Sequence, residues 1–252
     1  MEVSFSIAAR AAWAPGLAGP SDWAEWAAGA RAIEDSDSTP ELSFLPSLFK
    51  RRLGPLDRMV LQAGHEALGG RAAAATVLAT KYGEIGQQYK ISDALARSGE
   101  VSPAAFSLSV FNAPASLLSI SEHGRGGATT VHAGEASFSA GLICGLGLLA
   151  AASAPLLLVA ADELVPEAYS SIQRDRGLPF AVAFLLESGG EGRETFRLRP
   201  ALGGRPSSVG RPVEGGGPEA LRFLRWLILG SEGELTLGED WSGISISRSG
   251  GG

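Results

Sequence analysis

The residues best placed for chemistry lie in one stretch, residues 126–161, reading GGATTVHAGEASFSAGLICGLGLLAAASAPLLLVAA. A β-rich run, Thr129-Thr130-Val131, meets a tight bend at Ala133-Gly134, and a strongly apolar helix opens there with Glu135 at its N-terminus. The first amides of a helix have no intrahelical partner, and the macrodipole puts partial positive charge beside them. A cysteine in that place ionises readily, and the free amides can hold an oxyanion. Here the place holds a carboxylate. A helix N-terminus favours its charged form, which makes it a poor general acid near neutral pH and a poor acyl acceptor. His132 stands three residues earlier, and the other two histidines, His65 and His123, lie elsewhere in the sequence. Glu135 with His132 is one pair that acid–base chemistry could use, against a structural carboxylate filling the turn, which is the better reading. The sole thiol, Cys144, lies nine residues beyond Glu135 inside the apolar helix and reads as a small core residue. No glycine-flanked serine stands at the turn, so a Ser-His-Asp arrangement has no support.

The elements that must position this turn can be read in order. Residues 3–9 read as a strand, and Ser21-Asp22 as the cap of a helix over 23–30 with Trp23 and Trp26 on one side. Residues 48–58 carry Lys50, Arg51, Arg52 and Arg58 and read as a solvated connection. A helix over 57–68 stops at Gly69-Gly70, and residues 73–80 form a buried strand. That strand runs into Lys81-Tyr82-Gly83-Glu84-Ile85-Gly86, a glycine loop with no Walker-type lysine-serine after it. The apolar helix ends near Ala152, Pro155 makes a turn, and residues 156–160 form a buried strand before the acidic turn Asp162-Glu163. Residues 180–187 read as a further strand. Strand, turn and helix alternate to this point, which predicts an α/β fold with a mostly parallel sheet covered by helices on both faces. From Ser188 the composition loosens, with a strand over 195–202, an amphipathic helix over 218–229 and a short strand over 244–248. The expected division is a core over 1–187 and a C-terminal extension over 188–252.

At 252 residues and 45% hydrophobic, the chain holds an ample core. A net charge of -6 and a pI near 5.2 argue against nucleic acid as a partner. One cysteine permits no internal disulfide and no Cys-rich zinc site, and neither a metal nor a cofactor is expected. The N-terminus lacks the basic and apolar regions of a secretory signal. Residues 142–161 are nearly uncharged, but Gly145, Gly147, Ser153 and Pro155 interrupt them, so core rather than a membrane span is expected, in a cytoplasmic protein.

On these residues the chain resembles the N-terminal half of β-ketoacyl synthases. Ala133-Gly134-Glu135-Ala136-Ser137 lies over their nucleophile motif, with Glu135 in the cysteine's place. It is more similar still to chain length factors, synthase-like subunits that carry Gln there in an alanine-glycine-glutamine-alanine context. The Trp-containing helix before Gly29-Ala30-Arg31 and the Ser102-Pro103 … Asn112 segment match the family in order. The resemblance implies a thiolase-like fold, essentially its N-terminal half plus a short remnant of the second. It implies a vestigial nucleophile position at Glu135, with His132, Gly134, Ala136 and Phe138 as neighbours. It also implies an acyl tunnel and partner interface at Tyr82, Ala105, Phe106, Phe111 and Asn112. Arg248-Ser249-Gly250 stands where the first catalytic histidine would. Condensation in that family uses a cysteine thiolate and two histidines, which are absent here, so the implied role is non-catalytic. A full-length β-ketoacyl synthase would be the heterodimer partner, with its tunnel shaped by this chain in polyketide or fatty-acid-like, including aryl polyene, biosynthesis. Acyl carrier protein would be met through that complex. Two alternatives stand beside it. One is a free-standing acyl-thioester decarboxylase or hydrolase using Glu135 and His132, the other a homodimeric acyl-binding module.

Overall fold

The computed structural model describes residues 2–124, 126–171, 176–189, 194–201, 217–238 and 243–249. The chain runs β1 (Val3–Trp13), α1 (Pro20–Ala27), α2 (Ser47–Lys50), α3 (Pro55–Leu68), β2 (Ala75–Ala79), α4 (Ile85–Ser98), α5 (Pro103–Ser107) and α6 (Ala113–Ser121). It continues through β3 (Gly127–Val131), α7 (Ser137–Ala152), β4 (Leu156–Asp162), β5 (Phe180–Ser188), β6 (Thr195–Pro200), α8 (Glu219–Ile228), β7 (Leu235–Leu237) and β8 (Ile244–Ser249). All eight strands join one sheet in the order β3-β2-β4-β5-β1-β6-β8-β7.

The pleat of β4 shows how the layers form. Leu156, Leu158 and Ala160 face one core, with Phe138 and Leu142 of α7 and Phe223 of α8. Leu157, Val159 and Ala161 face the other, under Met59 and Val60 of α3 and Leu118 of α6. A strand covered on both faces must be apolar at every position, which is why β4 reads as an unbroken hydrophobic run. Gly141 lets α7 sit close to the sheet, since a Cβ there would lie 2.8 Å from that of Ala79. Gly145, one of the glycines that interrupt the apolar run, is close to the sheet too: a Cβ there would lie 3.0 Å from Leu156 Cδ2.

Strand direction departs from the expected mostly parallel sheet. Only β2–β3 and β2–β4 are parallel, and the other five pairings are antiparallel. The cause is the connection. β2, β3 and β4 are joined through helices, which carry the chain back to the starting end. Between β4 and β5 the described residues hold only a one-turn 3-10 helix, Glu167–Tyr169, so β5 returns antiparallel and separates β4 from β1. β1 also runs four residues past its expected end, to Trp13, with a register shift between Ile7 and Ala9.

Helix ends shift by a few residues from those read in the sequence: α1 runs over Pro20–Ala27 rather than 23–30, and α3 begins at Pro55 rather than residue 57. Gly69 closes α3 in the left-handed region at φ 53°. α1 is capped from inside its first turn: Asp22 Oδ2 accepts from the amides of Ala18 and Gly19 at 2.7 and 3.2 Å, so the helix begins at Pro20 rather than Trp23. Among the described residues one segment, Gly134–Ala152, is long and apolar enough to cross a membrane by length and composition. Its inner side lies on β2 and β4, and its outer side presents Ile143 and Leu148.

Candidate functional site

The turn after β3 is built from its own side chains. Gly134 sits at φ 59°, where a side chain would strain the backbone. Ser137 Oγ donates to the Gly134 carbonyl at 2.7 Å and accepts from the Ala133 amide at 3.0 Å. The Ser139 amide in the first turn of α7 donates to Glu219 Oε2 at 2.9 Å. The other oxygen of Glu219 takes the Gly238 amide at 2.5 Å, so one buried carboxylate ties the α7 N-terminus to α8 and to the end of β7. An amide of the kind that could hold an oxyanion is thus already occupied. Glu219 came from the loosely patterned C-terminal part of the sequence and carried no signal of this role.

Glu135 lies on the outer side of the turn, 71% exposed, and pairs with the ammonium of Lys81. Burial tends to lower the Lys81 pKa, but the hydrogen bonds and charges of Glu135 and Tyr82 outweigh it and raise the value. Lys81 also lies over the Tyr82 ring, 4.7 Å from its centroid. His132 does not pair with Glu135. Its Nδ1 faces the Thr80 carbonyl at 3.1 Å, and its ring lies 5.2 Å from that of Phe111. Phe111 in turn covers Gly83: a Cβ on Gly83 would fall 2.3 Å from Phe111 Cδ1, and its φ of 60° independently requires glycine. Tyr82, Phe111, His132 and Glu135, scattered over more than fifty positions, therefore meet on one surface.

The remaining expected site residues lie around that cluster or inside the protein. Ala105 and Phe106 are on α5, where Phe106 is 60% exposed, and Asn112 is the N-cap residue of α6. Ala136 closes the turn as the residue before α7. Phe138 is buried, packed against Phe184 and Phe223 in the core under α8. Cys144 is half-buried, about two turns into α7. Arg248 stacks on Trp226 and donates to the carbonyls of Trp226 and Leu227, which fastens α8 to β8, while Gly250 lies outside the described residues. Among the described residues no cluster of His, Cys, Asp and Glu could hold a metal ion.

The loop carrying Lys81 and Tyr82 is held by the acidic turn after β4. Asp162 Oδ1 accepts from Thr80 Oγ1 at 2.9 Å and from the Lys81 amide at 2.7 Å. Burial pushes its pKa up to about 6 against those bonds. Glu163 Oε1 accepts from the Gly86 amide at 2.8 Å, and burial pushes that carboxyl up to about 7.

On its outer side the site adjoins apolar surface. Phe106, Val110, Phe111 and Ile120 are exposed on and beside α5 and α6, and Ile143 on α7. Between α6 and α7 lies β3, the end strand of the sheet.

Comparison with known proteins matches this geometry. The β-ketoacyl synthase N-terminal domain family matches residues 23–231. A ketosynthase (ApeO) in complex with its chain length factor (ApeC) from Xenorhabdus doucetiae contains a chain that superposes with a TM-score of 0.80 at 29% identity. The match covers 98% of this chain and 100% of that one. A β-ketoacyl synthase from Burkholderia phymatum STM815 matches at TM-score 0.58 and 13% identity, over 81% of this chain and 66% of its own. A type II polyketide synthase acyl-carrier protein in complex with its ketosynthase (AntDE:AntF) matches at 0.58 and 12%, over 75% of this chain and 64% of that chain. This chain thus spans about two thirds of the length of these last two, whose likeness is one of fold. No curated protein matches the sequence. The mixed sheet between two helical layers is the thiolase-like α/β fold.

Proposed function

The chain belongs to the β-ketoacyl synthase N-terminal domain family, and on that premise we propose that it is a chain-length-factor-like subunit without condensing activity of its own. Its partner is a full-length ketosynthase whose acyl tunnel it shapes, in cytoplasmic polyketide, fatty-acid-like or aryl polyene assembly, and acyl carrier protein is met through that complex. The observation that carries this reading is the state of the nucleophile position. An exposed carboxylate, Glu135, stands there, balanced by Lys81. Such a group neither holds an acyl chain nor tolerates the carboxylate of a malonyl extender beside it.

The surface favours a protein partner. A strand at the end of a sheet is a template for a second chain, and here α6 and α7 flank β3 with exposed Ile120 and Ile143. The outer side of α7 is covered by that partner rather than by lipid. Tyr82, Ala105, Phe106, Phe111 and Asn112 border the same surface and supply the tunnel and interface positions, with Phe106 and Phe111 the bulky ones. Phe138 acts behind them by packing the core. Glu135 and His132 face different partners, Lys81 and the Thr80 carbonyl, which counts against a hydrolase or decarboxylase built on that pair.

Co-expression with a ketosynthase from the same genome neighbourhood, followed by mass determination in solution, tests the reading. A stable one-to-one complex is expected. A well-behaved homodimer that ignores the synthase would overturn it in favour of the acyl-binding module, and turnover of acyl thioesters by the purified chain would favour the enzyme.

A further inference from the structure

Behind the Lys81–Glu135 surface, three carboxyl side chains meet inside the protein at the root of α4. Asp57, Glu84 and Glu163 are 0%, 0% and 5% exposed. They come from the first turn of α3, the residue before α4 and the residue after β4. Asp57 Oδ2 accepts from the Gly54 amide at 2.9 Å, and Glu163 Oε1 from the Gly86 amide at 2.8 Å. Both therefore have a donor at a helix N-terminus, where negative charge is supported. Glu84 has none. Among the described residues no donor reaches either of its carboxyl oxygens, nor Asp57 Oδ1. A Cβ on Gly54 would lie 3.0 Å from Glu84 Oε2 and 3.7 Å from Asp57 Oδ2, so the two carboxyl groups crowd one point. Two buried anions with nothing between them would each carry a heavy desolvation penalty. A proton removes it, turning one acceptor into a donor.

We propose that Asp57 and Glu84 share one proton as a buried carboxylic acid–carboxylate pair, with Glu84 the acid and Asp57 the acceptor, and that this bond is a pH-sensitive latch fastening α4 and α5 to α3. The charged groups around it are Asp57 and Arg58 from α3, Lys90 from α4, and Asp162 and Glu163 from the end of β4. Burial is the largest influence on Glu84, followed by the charges of Asp57 and Glu163, and together they hold its pKa far above the ordinary carboxyl range. Lys90 opposes them weakly. The folded state keeps a proton that an opened state gives up above about pH 4.3, so the latch is strongest in mild acid and weakens as pH rises.

α4 depends on its root because it has little else. None of its fourteen residues is fully buried. Among the described residues its further ties include a ring contact between Tyr89 and Tyr169 at 5.8 Å, a long Gln88–Ser109 hydrogen bond of 3.5 Å, and Gln87 beside Gly54. When Glu84 loses its proton to solvent, the second anion beside Asp57 pushes the root apart, and residues 85–107 loosen ahead of the sheet. This holds whether or not the chain pairs with a ketosynthase.

Hydrogen exchange on the full chain, corrected for the intrinsic rise of exchange with pH, tests it directly. From about pH 6 to about pH 9 the opening constant of α4 is expected to climb up to tenfold per unit, while the β4 and β5 amides lag behind. Glu84→Gln keeps the shape and can donate to Asp57 without titrating, so its α4 opening should level off above about pH 8, once Glu163 at the same root has given up its own proton, while the unmodified chain keeps climbing. Parallel pH profiles in the two proteins would overturn the latch. Infrared spectroscopy of the unmodified protein at about pH 8 gives a second measure that needs no variant to fold: a protonated carboxylic acid band is expected, and its absence overturns the proposal.

Discussion

Phe106→Ala separates a partner-facing aromatic from a structural one. Phe106 sits on α5 with 60% of its surface exposed, and α5 has no buried residue. Truncation should therefore change the stability of the isolated chain by no more than about 0.5 kcal/mol. In a complex that covers α5, the exposed part is the part to be buried. Full burial of a phenylalanine is worth about 1.5–3 kcal/mol, so that share contributes roughly 1–2 kcal/mol. The expected loss of affinity for the ketosynthase is then about 5- to 30-fold. Thermal unfolding of the free variant and calorimetric titration against the synthase give the two numbers. Product analysis of the reconstituted complex gives a third: if Phe106 lines the tunnel as proposed, its truncation lengthens the acyl chains. Unchanged affinity and unchanged products together would remove α5 from the interface. A drop in stability as large as the drop in affinity would show that Phe106 supports the fold instead.

Other outcomes follow from the same contacts. Phe223→Ala removes a buried ring packed against Phe138, Phe184 and Trp226, and urea unfolding should show a loss of about 3–5 kcal/mol. Gly83→Ala combines a left-handed backbone with a collision against Phe111, so near-ultraviolet dichroism should report displacement of that ring, together with a stability loss of about 1–3 kcal/mol. Burial raises Asp162 to about 6 and Glu163 to about 7, so the folded chain holds protons that the unfolded chain has released. Unfolding free energy should therefore fall as pH rises from about 5 to 7, by on the order of 1.4 kcal/mol per unit for each whole proton held. Urea titrations across that range test the sign, and a rising curve would contradict it.

Elements that bury a continuous apolar run were legible in the sequence. β4 and α7 are such elements, and the turn between β3 and α7 was marked by Gly134 and by the change from a β-branched run to continuous hydrophobicity. α4 went unread although its apolar and polar residues separate onto two sides as clearly as those of α1, and in the fold none of its residues is fully buried. The direction of β5 was hidden as well, since composition does not reveal whether a connection crosses the sheet or doubles back. The family resemblance located Glu135 but not its partner. Lys81 lies 54 positions away and reaches it only because β2 and β3 are neighbours with their ends in register. The Asp57, Glu84 and Glu163 cluster is a tertiary fact of the same kind. Each carboxylate alone reads as a helix-end or turn residue, and only the fold reveals that they share a buried space.

The place of β1 near the middle of the sheet affects how the protein is made. Of the strands described, the earliest to leave the ribosome pairs with β5 and β6, so Phe5 lies opposite Ser188 on one side and Phe196 on the other. At about 5–20 residues per second, those partners arrive roughly 10–40 seconds after β1 itself. The β2-β4 pair closes over a shorter span, so the growing chain holds a partly built sheet beside an unmatched, largely apolar first strand. A ribosome that stalls before residue 180 leaves β1 without either neighbour. Such a fragment is expected to be a substrate for chaperones and proteases, not a smaller folded domain.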